Sequence, residues 1–194
     1  MIFDLDETLI HCNENALIKS DIVLPIKFPT GQTIEAGINI RPYTIQCLKE
    51  LANYFEIIVF TASHNCYANV VLDYLDPQKE FIQHRLFREH CIQTEEGLFV
   101  KDLRVIENRS LENMLIVDNA AYSFGFQLDN GIPILPYYDN KEDRELVSLT
   151  QYLKSLKDYR EIRDVNRKMF RLKEFSSFQD IEEVLQGLYG DLAL

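Results

Sequence analysis

Two aspartates stand two residues apart near the start of the chain, in Asp4-Leu5-Asp6-Glu7-Thr8. In an extended segment that spacing points both carboxylates to one side. Left alone they repel, and one takes up a proton. A hard cation such as Mg²⁺ resolves the conflict, because it prefers a few carboxylate and carbonyl oxygens together with water and a phosphate oxygen. Asp118 and Asn119 offer further oxygens of that kind. The Thr61 hydroxyl can donate to a phosphoryl oxygen, Lys101 supplies positive charge to a phosphate and a carboxylate, and Arg88 is a second candidate cation. These residue types together suit a site that handles a phosphate ester.

Each of these groups follows an apolar run. Residues 1–3 end in Asp4, 57–60 in Thr61, 115–117 in Asp118, and 98–100 run into Lys101. In open α/β sheets the ligand site lies beyond the carboxyl ends of the strands, so four separate strands would deliver their polar groups to one pocket. Alone, each signal is weak: a threonine after a strand commonly caps a turn, a lysine is commonly surface, and Asp-Asn is a common turn pair. Their joint occurrence, in order, carries the reading.

The intervening elements agree. Short apolar segments at 1–3, 56–60, 114–117 and 132–135 alternate with helical periodicity at 43–55 and 67–75, which predicts an α/β domain with a mostly parallel sheet flanked by helices. Segments 21–28 and 32–40 around Pro29-Thr30-Gly31 predict a hairpin inserted after the first strand, and 86–91 with 98–101 around Glu95-Glu96-Gly97 predict a second. Because the chain begins almost at Asp4, its first strand is expected to be a stub. Residues 142–157 read as one helix. Ser177 and Asp180 form a capping-box-like start for another, whose stripe of Ile181, Val184, Leu185 and Leu188 packs on its own domain or, alternatively, on a partner.

The 194 residues fit one domain, with 46% hydrophobic and 26% charged residues. No apolar run reaches membrane-spanning length and the start lacks signal-peptide features. Cys12, Cys47, Cys66 and Cys91 form no C-x-x-C pair, which suits reduced thiols in a nuclear or cytoplasmic, intracellular setting. A formal net charge of -11 argues against direct nucleic-acid or anionic-membrane binding. It also demands that cations be concentrated wherever an anionic ester is to bind.

The segments 4–11 (Asp-Leu-Asp-Glu-Thr-Leu-Ile-His), Arg41-Pro42, Phe60-Thr61-Ala62-Ser63, Leu86-Phe87-Arg88-Glu89, Val100-Lys101-Asp102-Leu103 and Val117-Asp118-Asn119 closely resemble the small C-terminal-domain phosphatases. These are the NLI-interacting-factor-like, Dullard-type branch of the haloacid dehalogenase superfamily. The resemblance runs from residue 2 to about 165, leaving 166–194 as a helical C-terminal extension of the single domain. It implies a Rossmann-like fold with hairpins near the site, Mg²⁺, and phosphoserine or phosphothreonine proteins or peptides as substrates. It further implies that Asp4 is the nucleophile that forms an aspartyl phosphate and that Asp6 is acid and then base. By the same resemblance Thr61 and Lys101 would bind the phosphoryl group, and Asp4, Asn119 and the Asp6 carbonyl would hold the metal, with Asp118 at or just behind them.

Two features depart from the family pattern. Its Asp-Asn-Ser-Pro is Asp118-Asn119-Ala120-Ala121 here. Its apolar substrate pocket is kept in part by Ile26, Phe28 and Tyr67, but Glu14 and His64 stand at apolar positions, which predicts no special preference for proline beside the phosphate. His11 reads as a residue that packs against the nucleophile loop. Two rival readings are a phosphatase-like interaction module without catalysis and a small-molecule phosphatase. Retention of both Asp4 and Asp6, and the modest size of the hairpins, respectively weigh against them.

Overall fold

The structure, a computed structural model, describes residues 1–13 and 19–175. In chain order the strands are β1 (Ile2–Phe3), β2 (Ile10–Asn13), β3 (Ile22–Lys27), β4 (Thr33–Ile40), β5 (Ile58–Phe60), β6 (His84–Leu86), β7 (Ile92–Gln93), β8 (Phe99–Val100), β9 (Ile116–Asp118) and β10 (Gly131–Pro133). The helices are α1 (Thr44–Leu51), α2 (Asn65–Leu75), α3 (Glu145–Ser155), α4 (Ile162–Phe170) and α5 (Leu172–Phe175).

Five strands, in the spatial order β10-β9-β1-β5-β6, form an all-parallel sheet. The alternation of side chains across the pleat gives it two cores. Ile2 lies level with Ile58 and Ile116, and these three pack with Phe60, Leu103 and Phe124. Phe3 lies level with Val59 and Val117, and that face packs with Leu48, Leu72 and Leu149 of α1, α2 and α3. Both faces are covered, which is why the strands read as continuous apolar runs. Tyr152 OH donates to Asn166 Oδ1, and Asn166 Nδ2 donates to Asp129 O and Gly131 O, tying α4 to the start of β10.

The first predicted hairpin forms: β3 and β4 join antiparallel through a turn in which Gly31 takes φ 87°, a left-handed conformation open to glycine. It is larger than expected, because β2 pairs with the other edge of β4 to give a three-stranded sheet. The polar residues His11 and Asn13 hide β2 from an apolar pattern.

The second hairpin needs correction. Its turn is where expected, with Gly97 at φ 85°, but only β7 pairs with β8. Residues 86–91 do not form its first arm. Leu86 stays in the parallel sheet, where its carbonyl accepts the Thr61 N–H at 2.9 Å, and Arg88–His90 is a 3₁₀ turn whose Arg88 N–H donates to Ser63 O. Lys101 thus comes from this separate ribbon rather than from a strand of the main sheet. The 43–55 helix ends early, at Leu51, because the Asn53 amide donates to the carbonyls of Lys49 and Glu50 and closes the last turn. The terminal stripe from Ile181 to Leu188, and Glu14, lie outside the described residues.

Candidate active site

Strand β1 is the central strand: the next sheet strand in sequence, β5, lies on one side of it and β9 on the other. Its carboxyl end is therefore the switch point at which such sheets bind ligands. Asp4 stands there, its N–H donating to Val117 O at 2.9 Å. Beyond it the chain does not continue extended, as the spacing of the two aspartates had implied. It closes into a turn on the Leu5 carbonyl, which accepts the N–H groups of Leu9 and Ile10 at 2.9 and 3.1 Å, with Glu7 left-handed at φ 56°. This turn still brings Asp4 and Asp6 to one cleft of about 290 Å³, lined also by Thr61, Arg88, Lys101, Asp118 and Asn119. A larger groove between α1 and α3, about 450 Å³, gathers no such set; its Glu50 and Lys154 pair with each other at 2.6 Å.

Lys101 lies at the floor of the cleft, 2% exposed, and its Nζ donates to Asp4 Oδ1 and, at 2.6 Å, to Asp118 Oδ2. Burial opposes its charge, yet Asp118 and Asp4 hold its ammonium above the usual lysine range. Burial pushes the Asp4 carboxyl up to about 8 against the pull of Lys101, and the Asp118 charge adds to the push. The other Asp118 oxygen accepts the Ala120 N–H at 2.8 Å, so both of its oxygens are engaged by the protein. That backbone contact needs no hydroxyl at position 120. The buried Thr8 hydroxyl lies between Asp4 Oδ2 at 3.4 Å and Asn119 Oδ1 at 3.2 Å. Two oxygens far apart in the sequence thereby converge. They suit a cation such as Mg²⁺, which takes one or two carboxylates and fills its shell with water and substrate oxygen. Among the described residues no three His, Cys, Asp or Glu side chains cluster as a metal site.

Asp6 has different neighbours. Its Oδ2 accepts from Ser63 Oγ at 2.7 Å and from Thr61 Oγ1 at 3.4 Å, and its Oδ1 accepts from the Tyr67 hydroxyl at 2.7 Å. Burial and the Asp6 charge push the Tyr67 phenol above its ordinary range, so it remains a proton donor. Arg88 is anchored by its Nε to Ala62 O at 2.6 Å and lies 4.9 Å from the Phe99 ring centroid, with His64 Nε2 2.9 Å from its NH1.

The residues expected to form an apolar substrate pocket are placed differently. Ile26 is fully buried in the core and presents no wall to a ligand. Phe28 and Tyr67 are partly buried against that same core, and His64 is exposed at the start of α2. His11 is 2.9 Å from Glu7 Oε1 and packs edge-on to Tyr138, a supporting contact. Three functional neighbours were not assigned from sequence: Thr8, Ser63 and the hydroxyl of Tyr67. Thr8 is one helical turn beyond Asp4 and Ser63 two residues beyond Thr61, spacings that could have marked them. Arg41, fully buried, is a fourth: it binds Asp143 through Nε and NH2, both at 2.9 Å, and Thr8 O through NH1 at 3.1 Å.

The family model described as NLI interacting factor-like phosphatase matches residues 1–166. The chain is 40% identical over 188 residues to a CTD small phosphatase-like protein 3 of Caenorhabditis elegans, covering 96% of this chain and 64% of that protein. It is 37% identical over 177 residues to CTD small phosphatase-like protein 2 of Dictyostelium discoideum, covering 91% and 30%. The chain therefore spans between about a third and two thirds of the length of these relatives. Among solved structures, that of Fcp1, an essential RNA polymerase II CTD phosphatase, superposes with a TM-score of 0.75 at 16% identity over 87% of this chain and 69% of that one, a likeness of fold.

Proposed function

The chain belongs to the NLI interacting factor-like phosphatase family, and we propose that it is a Mg²⁺-dependent phosphatase of phosphoserine and phosphothreonine in proteins, working through an aspartyl phosphate on Asp4. One observation carries this reading: Lys101, 97 residues from Asp4 in sequence, is buried against it and against Asp118, in the same cleft as Asp6. A lysine buried between two carboxylates puts three ionisable groups in one water-poor cleft, the kind of cluster that functional sites carry.

In the proposed reaction an Asp4 oxygen bonds to phosphorus while the bond from phosphorus to the serine or threonine oxygen breaks. Its electron pair goes to that oxygen, which takes a proton from Asp6. Lys101, Thr61 and Arg88 hold the phosphoryl oxygens, where charge must be stabilised in transfer. A water then attacks phosphorus, returns its proton to Asp6, and frees Asp4. Asp4, Asn119 and the Asp6 carbonyl would hold Mg²⁺, with Asp118 behind them. Bound there, the cation supplies positive charge that keeps Asp4 ionised and polarises the phosphoryl group.

Mg²⁺-dependent hydrolysis of p-nitrophenyl phosphate is expected to fall to background in Asp4→Asn; turnover persisting in that variant overturns the mechanism. A protein that forms no beryllofluoride adduct and turns nothing over would instead be an interaction module. The open cleft, with no enclosing cap among the described residues, supports a polypeptide substrate over a small metabolite. The burial of Ile26 and the engagement of His64 with Arg88 support equal rates on phosphopeptides with and without an adjacent proline. Among the described residues no helix is long and apolar enough to cross a membrane, and no disulfide joins the cysteines.

A further inference from the structure

The three hydroxyls on Asp6 are not equivalent. Ser63 and Thr61 line the cleft, and both meet Oδ2. Tyr67, rooted in the first turn of α2, reaches Oδ1 from behind, with its ring packed against the core. The Cys12 thiol of β2 lies within hydrogen-bonding reach of the same phenol, so the phenol is held from the inserted sheet as well as from α2. Oδ2 is thus the oxygen turned toward the reacting groups.

We propose that Tyr67 is the positioning residue of Asp6, donating to Oδ1 so that the proton exchanged with the leaving group is carried by Oδ2 alone; this rests on the phosphatase reading above. A carboxyl that keeps a donor on one oxygen presents the other as its O–H. When the phosphorus–oxygen bond to serine breaks, its electron pair moves to the serine oxygen and the Oδ2 proton follows. When water attacks the aspartyl phosphate, the water's proton returns to Oδ2 and the Asp4–phosphorus bond gives its pair back to the carboxylate. The Ser63 hydroxyl can donate to the ionised Oδ2 or accept from the protonated one, so it follows both states. Tyr67 has no need to turn. Its assignment is to orientation, beyond the packing role that its ring alone would serve.

The test compares kcat/KM, which reports ester cleavage, for a phosphoserine peptide and for 2,4-dinitrophenyl phosphate, whose leaving group departs without a proton. General-acid help contributes on the order of a hundredfold or more, so Tyr67→Phe is expected to lose roughly ten- to a hundredfold on the peptide and less than about threefold on the aryl ester. The retained aryl esterase activity also reports an intact fold. In an Asp6→Asn background, where position 6 has no acid proton to deliver, Tyr67→Phe is expected to change neither substrate's rate further. Equal losses on both substrates, no loss on the peptide, or a full additional loss in the Asp6→Asn background overturns the proposal. A parent chain inert toward both substrates overturns the phosphatase reading and the proposal together, and is told apart because there the parent itself fails.

Discussion

Two buried cations hold this molecule's centre, and they are treated in opposite ways. Arg41 meets one carboxylate, Asp143, with two parallel N–H bonds, and spends a third donor on the Thr8 carbonyl. Its charge is matched one to one and its geometry is closed. Lys101 meets two carboxylates, Asp4 and Asp118, so with both ionised the cluster is one positive charge short. The two sites are linked, since Thr8 is held by Arg41 through its carbonyl and reaches Asp4 and Asn119 through its hydroxyl. A pair that only supports structure is balanced within the protein. A pair meant to act is left unbalanced until ligand arrives.

Breaking the balanced site is expected to have the largest effect. Arg41→Met leaves the Asp143 carboxylate without its partner and the Thr8 carbonyl without its donor, and removal of one member of a buried pair typically costs about 3–5 kcal/mol. Urea denaturation reads this as a lower midpoint. Arg41→Lys should recover little, because an ammonium cannot reproduce the bidentate fork. A loss under about 1 kcal/mol, the range of exposed pairs, would erase the contrast between the two clusters.

The unbalanced site is expected to respond to a cation where the balanced one cannot. Mg²⁺ at a hundred times its dissociation constant should stabilise the parent by about 2.7 kcal/mol. Asn119→Ala should reduce that gain, and Asp4→Asn should reduce it further by removing the ligand charge. Calorimetry with Mg²⁺ and with Na⁺ at matched ionic strength makes the comparison. A parent whose melting temperature is the same in both would show that Lys101 alone completes its cluster.

Much of this contrast was legible in the chain itself, and the remainder was hidden for physical reasons. Asp4, Thr61 and Asn119 line one cleft because the apolar runs before them make sheet strands that end at one edge, while the 98–100 run brings Lys101 there from the separate ribbon. Spacing could have marked Thr8 and Ser63 but not the Tyr67 hydroxyl, which reaches Asp6 from a helix whose orientation is set by packing. Ile26 misleads for a related reason. On a strand its side faces either a ligand or the core, and the packing of β3 on α2 decided for the core. Leu86 misleads because an apolar residue before a turn suits a parallel strand and a hairpin arm equally.

The smallest expected effect lies in the pH dependence of the unbalanced site. Burial raises the folded-state value of Asp4 to about 8, well above the ordinary aspartate range. A group raised in this direction contributes stability that is fully present below the unfolded value and is lost as pH climbs through the folded one. In Mg²⁺-free buffer, the parent should therefore weaken between pH 7 and 8, by no more than about 1.4 kcal/mol for one proton. Asp4→Asn, which keeps the shape of the protonated carboxyl and cannot ionise, should show a flatter profile and be the more stable of the two at pH 8. Saturating Mg²⁺ should reverse that order, because the cation favours the ionised Asp4 that the asparagine cannot supply. Parallel profiles for the two proteins without Mg²⁺ would mean that Lys101 already keeps Asp4 ionised, and the two buried clusters would then differ in geometry rather than in charge.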